Sequence, residues 1–144
     1  MRVICSVDSK APHFRVVLYP FREGDARRLR FETDAFDDVL VLGNSFGYFE
    51  SRRDDLTVLG EIRRVLKPTG RLLLDLTDGE YMREYFEPRS WEWIDKNYFV
   101  CRERGLSDDR SRLISREVIT HTNKGVVADQ FYAERLYNAN ELGA

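Results

Sequence analysis

The order of apolar and polar positions predicts a strand, a helix and a second strand within residues 36–75. Residues 39–42 form an uninterrupted aliphatic run, which is typical of a parallel strand covered on both faces. From Asp54 onward, apolar residues recur at steps of three and four, the spacing of one helix face. These residues are Leu56, Leu59, Ile62, Val65 and Leu66. Pro68 ends the helix, a tight turn follows and a second strand begins at Arg71, so we expect a right-handed parallel crossover.

Small and polar residues interrupt the apolar pattern directly after the first strand. They are Gly43, Asn44, Ser45, Phe46 and Gly47. The glycines allow the backbone to approach a ligand, and ligands of open α/β folds bind at the carboxyl edge of the sheet. We therefore expect this loop to line a binding site. It ends at Ser51, the predicted N-cap of the helix.

The pattern changes to alternation after the second strand. A short helix capped by Thr77 or Asp78 is predicted first, followed by β-rich segments and a helix start at residues 138–142. The β-rich segments are residues 91–94, 98–106, 113–122 and 126–137. Short polar turns join the last three of them, which predicts an antiparallel meander.

Composition narrows the class of protein without assigning a function. The 144 residues suit one domain, and 23 basic against 25 acidic residues give no basic groove for nucleic acid. Cys5 and Cys101 lie in apolar contexts, so we expect two buried free thiols and no metal site. No apolar run reaches transmembrane length, and we expect a soluble cytoplasmic protein with no membrane or nucleic-acid partner.

Two motifs carry a family resemblance. Residues 36–39 read F-D-x-V, and residues 59–70 read L-x-E-I-x-R-V-L-K-P-x-G, with Thr69 where a glycine is more usual. This stretch resembles the centre of a class I S-adenosylmethionine-dependent methyltransferase, in which the two motifs introduce the fourth and fifth strands. Upstream, Gly24, Asp25 and Ala26 are similar to the family's G-D-A segment. The resemblance implies S-adenosylmethionine as cofactor and a small-molecule substrate.

The resemblance also implies a fold and a division of the chain. The fold is α/β, a partial Rossmann-like parallel sheet with an appended antiparallel β-meander. Residues 1–90 are expected to form the partial methyltransferase core, residues 91–137 the meander, and residues 138–144 the start of a truncated helix. In the family such an insertion covers the active site, contacts the substrate or mediates dimerisation, so we expect a homodimer through the meander or a sheet edge.

The G-D-A segment implies an adenine site. By resemblance, the Asp25 carboxylate accepts a hydrogen bond from the adenine amino group and the Ala26 N–H reaches a ring nitrogen, beside Gly24. The alternative is that Gly24 and Asp25 form an ordinary turn.

Asp8 ends the first β-prone segment, and by resemblance it is a candidate for the family's ribose-binding acid. The alternative is an ordinary aspartate at a strand end. The family's glycine-rich loop, which precedes that acid, has no counterpart in this sequence. The sequence therefore predicts an internal piece of a methyltransferase that binds the cofactor weakly or not at all by itself.

The loop after the first strand is expected, by resemblance, to pass close to the transferred methyl group. Gly43, Asn44, Ser45 and Phe46 are then cofactor-binding residues, with the Phe46 ring near the sulfonium and Asn44 facing the substrate. The alternative for Phe46 is a core residue that covers the sheet edge.

Residues of the meander are the remaining candidates. Tyr132 and Arg135, together with Trp91, are predicted to line a substrate pocket in which Arg135 binds a carboxylate. The alternative is one solvated, charged sheet face with cross-strand ion pairs. His121 stands alone in a strand, and neither a base nor a metal ligand is assigned there.

Methyl transfer needs alignment and desolvation rather than a protein nucleophile. The sequence shows no clear base, which favours nitrogen over oxygen as the acceptor because a neutral amine needs none. The alternative hypothesis is a non-catalytic remnant that folds or dimerises without binding cofactor.

Overall fold

In the computed structural model, which describes residues 23–142, a helix connects two parallel strands. These elements are β1 (Phe36–Val41), α1 (Arg52–Val65) and β2 (Leu66–Leu74). Ser51 is the N-cap of α1, as predicted, and its side chain accepts a hydrogen bond from the Arg53 N–H. The predicted strand–helix–strand unit is therefore confirmed.

The buried face of α1 differs from the one predicted. Asp55, Val58, Ile62 and Val65 are buried, whereas Leu56 is 61% exposed. These buried positions also follow helical spacing, but the face includes an aspartate. Choosing the most hydrophobic face of the helix therefore selects Leu56 and misses its buried neighbour Asp55.

Both faces of the parallel strands were also predicted to be buried, and for the described residues this prediction is wrong. Val41 is buried, whereas Leu40, Leu42 and Leu73 are each more than half exposed. Among the described residues the parallel sheet has two strands, and α1 packs against β2. One side of the pair is therefore left accessible.

The tight turn expected after α1 is replaced by an irregularity inside β2. The pairing changes from Phe36 with Leu66 to Asp38 with Arg71, so the chain between Leu66 and Arg71 bows out of the ladder. A side chain at Gly70 would place its Cβ 3.0 Å from the Asp37 carbonyl oxygen, so the close approach requires glycine.

The chain divides into two compact units, one ending at Leu76 and the other beginning at Thr77. The second unit contains α2 (Gly79–Tyr85), β3 (Arg89–Trp93), β4 (Tyr98–Leu106), β5 (Arg112–His121), β6 (Gly125–Arg135) and α3 (Ala139–Leu142). The strands pair antiparallel in chain order, which confirms the meander. The division proposed at residue 90 stays a prediction.

Both short helices of the second unit have polar caps. The Asp78 carboxylate accepts from the N–H groups of Glu80 and Tyr81 at the start of α2. At α3, the Asn138 side chain accepts from the Glu141 N–H at 2.9 Å, and the Glu141 carboxylate accepts from the Asn138 N–H at 3.0 Å. This reciprocal capping box begins the helix predicted there.

The two faces of the meander differ in burial. Val100, Leu113 and Ser115 are buried on one face. The other face, here called the aromatic face, carries exposed rings and one exposed thiol. It consists of Trp91, Trp93, Phe99, Cys101, Arg116 and Phe131. The prediction that Cys101 is buried is therefore wrong, and Cys5 lies outside the described residues.

The expectation of a single charged face is also wrong. The Arg102–Glu117 ion pair lies on the face that carries Val100, whereas the Arg116–Asp129 pair lies on the aromatic face. Successive residues of a strand point to opposite faces, so a run of charged residues necessarily divides between them.

Candidate functional site

Gly24, Asp25 and Ala26, here called the 24–26 turn, lead into a β-turn over residues 25–28, which is closed by a hydrogen bond of 3.0 Å from the Arg28 N–H to the Asp25 carbonyl. Ala26 is 1% exposed, whereas the Asp25 side chain is 47% exposed. Gly24 and Asp25 border a cavity of about 310 Å³, together with Glu23 and residues 28–31. The turn thus presents a carboxylate to an open cavity.

Arg27 holds that carboxylate from two sides. Its backbone N–H donates to Asp25 Oδ1 at 2.9 Å, and its Nη2 donates to Oδ2 at 2.8 Å. These hydrogen bonds stabilise the ionised form and lower the pKa of Asp25 from 3.8 to about 2. Asp25 is therefore a fixed anion at neutral pH.

The same guanidinium contacts the region after β1. Arg27 Nη1 donates to Asp54 Oδ1 at 3.2 Å, and the Arg27 guanidinium carbon lies 4.6 Å from the centre of the Phe49 ring. Phe49 follows β1, and Asp54 is in the first turn of α1, so both lie beyond the carboxyl end of β1. Arg27 therefore brings the 24–26 turn to the edge of the sheet where the loop after β1 lies.

The segment that follows the turn is held along α1 by motif residues. Glu61 Oε2 accepts from the Leu29 N–H at 2.8 Å, and Arg64 donates to the carbonyls of Leu29 and Phe31, each at 2.9 Å. The hydrogen bonds from Arg64 and Leu29 lower the pKa of Glu61. The glutamate and second arginine of the L-x-E-I-x-R motif thus position the chain that carries the turn.

The 43–49 loop (Gly43 to Phe49) lines an open cavity of about 400 Å³. Gly43 and Asn44 both have positive φ, 67° and 51°, and a hydrogen bond of 2.8 Å joins Ser45 Oγ to the Leu42 carbonyl. Asn44 Nδ2 lies 3.5 Å from the Tyr48 hydroxyl. Phe46 is 3% exposed, which favours the core interpretation for most of its ring, although the residue still borders the cavity.

Asp75 was not singled out in the sequence, yet it fixes the start of this loop. Its carboxylate accepts from the Gly43 N–H at 2.9 Å, and its own N–H donates to the Val41 carbonyl at 2.8 Å. Asp75 directly follows β2, so a polar residue at the end of the second aliphatic strand was the available signal.

The candidate residues of the meander lie on β6 of the second unit. Tyr132 is opposite Ser115, and Arg135 is opposite Arg112, which places the two side chains on opposite faces of the sheet. Trp91 is on the same face as Arg135. A pocket on one side of the meander therefore does not contain all three.

Of the two remaining residues, the structure describes His121 but not Asp8. His121 makes an edge-on contact with the Tyr98 ring, and its Nδ1 accepts from the Asn123 N–H at 3.1 Å. Asp8, the predicted ribose ligand, lies outside the described residues.

In the described part of the chain no His, Cys, Asp or Glu cluster is arranged to hold a metal ion. No helix among residues 23–142 is long and apolar enough to span a membrane.

Comparison with known proteins relates the chain to methyltransferases. Residues 4–74 match a family model described as a methyltransferase domain. Among curated protein sequences no significant match is found.

Solved structures give matches over most of the chain. An S-adenosylmethionine-dependent methyltransferase from Clostridium acetobutylicum is 16% identical, with a TM-score of 0.66, over 83% of this chain and 48% of that one. The CcbJ methyltransferase from Streptomyces caelestis is 12% identical, with a TM-score of 0.65, over 83% and 47%. The sugar N-methyltransferase KedS8 from a Streptoalloteichus species is 16% identical, with a TM-score of 0.59, over 82% and 48%. The chain thus spans about half the length of the structures that it matches.

Proposed function

The chain belongs, through residues 4–74, to the class I methyltransferase domains, and on this premise we propose that it forms the adenine and methyl side of an S-adenosylmethionine site. The proposed activity of the protein is methyl transfer to a small-molecule acceptor. Its cytoplasmic location stays a prediction.

One observation carries the proposal: Arg27 contacts both Asp25 and Phe49. The two segments that the family resemblance assigns to adenine and to the methyl group are thereby joined by one side chain. Both border cavities of the size that small ligands occupy, which is about 300–1,000 Å³ in proteins. In open α/β folds this edge of the sheet is where ligands bind.

The residues of the 24–26 turn fit an adenine ring. The Asp25 carboxylate stays ionised down to pH values near its pKa of about 2, so it accepts hydrogen bonds but donates none. An adenine amino group is a donor, which makes the pair complementary. We assign Asp25 and the Ala26 N–H to adenine, with Gly24 beside them, and we retain Asp8 as a predicted ribose ligand.

The 43–49 loop fits the methyl side. The bound cofactor supplies a methyl group on a sulfonium, and the chain contributes orientation and the exclusion of water. Gly43, Asn44, Ser45 and Phe46 surround the cavity there. The Asn44 side chain offers both a donor and an acceptor to the substrate.

Nitrogen is the favoured acceptor atom in this proposal. The 43–49 loop contains no Asp, Glu, His, Lys or Cys, and Tyr48 is its one ionisable side chain, so it offers no carboxylate, imidazole or amine as a general base for a hydroxyl group. A neutral amine attacks without one. A sugar N-methyltransferase is among the matching structures, which supports a small-molecule amine as the substrate class. Tyr132 and Arg135 remain separate predictions, because side chains on opposite faces of the meander do not line one substrate pocket.

The proposal is tested by titrating the ¹⁵N-labelled chain with S-adenosylmethionine. Because we expect weak affinity, the ligand is raised to about 10 mM, where a millimolar complex of about −4 kcal/mol is well populated. The expected result is that amide resonances of the 24–26 turn and the 43–49 loop shift together with one dissociation constant. Unchanged resonances in both segments at the highest concentration would contradict the proposal.

A second candidate function is self-association, and the aromatic face supports it. Trp91 and Phe131 are 69% and 71% exposed on one side of a four-stranded sheet, and exposed apolar clusters mark interaction sites. We propose a homodimer through this face. Light scattering should give twice the 17.0 kDa mass of the chain, and a Trp91→Ser, Phe131→Ser double variant should be monomeric. A monomeric wild-type chain at about 1 mM would refute this candidate.

A further inference from the structure

We propose that Arg27 is a positioning residue that orients the Asp25 carboxylate for adenine and couples the 24–26 turn to the 43–49 loop. This inference rests on the proposed function. Arg27 follows the G-D-A segment directly, and neither the resemblance nor the family match assigns it a role.

The first argument is the geometry at Asp25. Arg27 donates from its backbone N–H to Oδ1 at 2.9 Å, from Nη2 to Oδ2 at 2.8 Å, and from Nε to both oxygens, at 3.1 and 3.2 Å. An ionised carboxylate offers about four acceptor positions. Three N–H groups of Arg27 fix the plane of the carboxylate, and because Nε shares its single hydrogen between the two oxygens, about one acceptor position is left for an amino group of a ligand.

The second argument is how the guanidinium divides its remaining contacts. Nη1 donates to Asp54 at 3.2 Å, and the guanidinium carbon lies over the Phe49 ring, 4.6 Å from its centre. The guanidinium thus bonds to two different carboxylates and also lies against an aromatic ring. Arg27 therefore acts on a ligand through Asp25 and the loop rather than by direct contact.

The third argument concerns how little the Arg27–Asp25 ion pair contributes to folding stability when no ligand is bound. Arg27 and Asp25 are 40% and 47% exposed, and ion pairs with that exposure contribute little to folding stability. An arrangement that barely stabilises the fold but fixes two ligand-facing segments is best explained by ligand binding. The consequence is that loss of Arg27 should selectively remove recognition of the adenine amino group.

The experiment compares two ligands, adenosine and purine riboside, which lacks the amino group. Dissociation constants are measured by amide shifts in the wild-type chain and in Arg27→Ala, Arg27→Lys and Arg71→Ala variants. Arg71 is the matched control because it forms an exposed ion pair with Asp38 on the parallel strands. Arg27→Lys keeps the charge but removes the forked donor geometry.

The wild-type chain is expected to prefer adenosine by about fivefold to tenfold, the value of one hydrogen bond. Arg71→Ala should keep this preference, whereas both Arg27 variants should bind the two ligands almost equally. If Arg27 had only a structural role, its loss would weaken the binding of both ligands alike and leave the ratio of their dissociation constants unchanged. An unchanged ratio in a folded Arg27 variant would therefore overturn this inference but not the proposed function. A wild-type chain whose 24–26 turn responds to neither ligand would overturn the proposed function as well.

Discussion

The backbone N–H of Gly43 donates a hydrogen bond of 2.9 Å to the carboxylate of Asp75. Gly43 lies just beyond β1, and Asp75 directly follows β2, so the bond joins the carboxyl ends of two parallel strands. It fixes the first residue of the 43–49 loop at a backbone conformation of φ 67°. The loop therefore depends on a residue outside its own sequence.

Removing the Asp75 carboxylate should loosen this loop. We predict that Asp75→Ala destabilises the fold by about 1 kcal/mol, because one backbone donor loses its partner. Asp75→Asn retains an acceptor oxygen and should cost less. Urea denaturation measures the stability, and broadened amide resonances at residues 43–49 report the loosening. Equal stability and identical spectra for wild type and Asp75→Ala would refute the role of this hydrogen bond.

The ion pair at the 24–26 turn predicts a pH dependence. Because the folded-state pKa of Asp25 is lowered to about 2 from 3.8, its stabilising contribution is complete above the unfolded value and is lost as pH falls toward 2. The Asp25 carboxyl carbon should titrate near pH 2 by NMR. In Arg27→Ala the midpoint should rise toward 3.8.

Asp109 supplies the internal control for this titration. Hydrogen bonds from Ser107 and Ser111 also lower its pKa to about 2, without any arginine partner among them. Its midpoint should therefore be the same in the wild-type chain and in Arg27→Ala. An Asp25 midpoint unaffected by the substitution would show that Arg27 does not hold the carboxylate in solution.

In the second unit the backbone passes so close to Gly79 that a larger residue there should lower the stability of the fold. A Cβ there would lie 2.6 Å from the Tyr137 carbonyl oxygen, which itself accepts the Gly79 N–H at 2.9 Å. Gly79→Ala should therefore destabilise the chain by about 1–3 kcal/mol through overpacking. Gly105→Ala is the matched control, because a Cβ at Gly105 meets nothing within 4 Å. Indistinguishable urea midpoints for the two variants would be inconsistent with this packing.

The contacts of Glu61 indicate that this residue of the family motif stabilises the fold. Its carboxylate bonds to both the Leu29 N–H and Arg64, and the side chain is 20% exposed. Glu61→Ala should cost about 1–2 kcal/mol, because a part-buried N–H and a guanidinium both lose an acceptor. Asp38→Ala removes an exposed pair with Arg71 and should cost less. A larger loss for Asp38→Ala would reverse the proposed ranking.

Local sequence predicted the elements well and their environments less well. Both parallel strands, the Ser51 cap and the four strands of the meander follow from periodicity and turn residues, which act over a few positions. Burial depends on what packs from elsewhere in the chain. For this reason Leu56 was predicted to be buried and is exposed, while Asp55 lies on the buried face.

The candidate site shows the same division. The family motifs identified the turn at Asp25 and the loop at Asn44, but Arg27 joins these two segments and Asp75 fixes the start of the loop. Arg27 and Asp54 lie more than 20 positions apart in the sequence, and so do Gly43 and Asp75. No local pattern encodes such pairings.

The central claim is that the 24–26 turn and the 43–49 loop hold the two ends of one nucleoside sulfonium. Intermolecular nuclear Overhauser effects between S-adenosylmethionine and the labelled chain test it most directly. The account predicts contacts from the adenine protons to Ala26 and, in the same complex, from the sulfonium methyl to Asn44 or Phe46. Adenine contacts confined to residues outside the 24–26 turn, or methyl contacts that never reach the 43–49 loop, would contradict it.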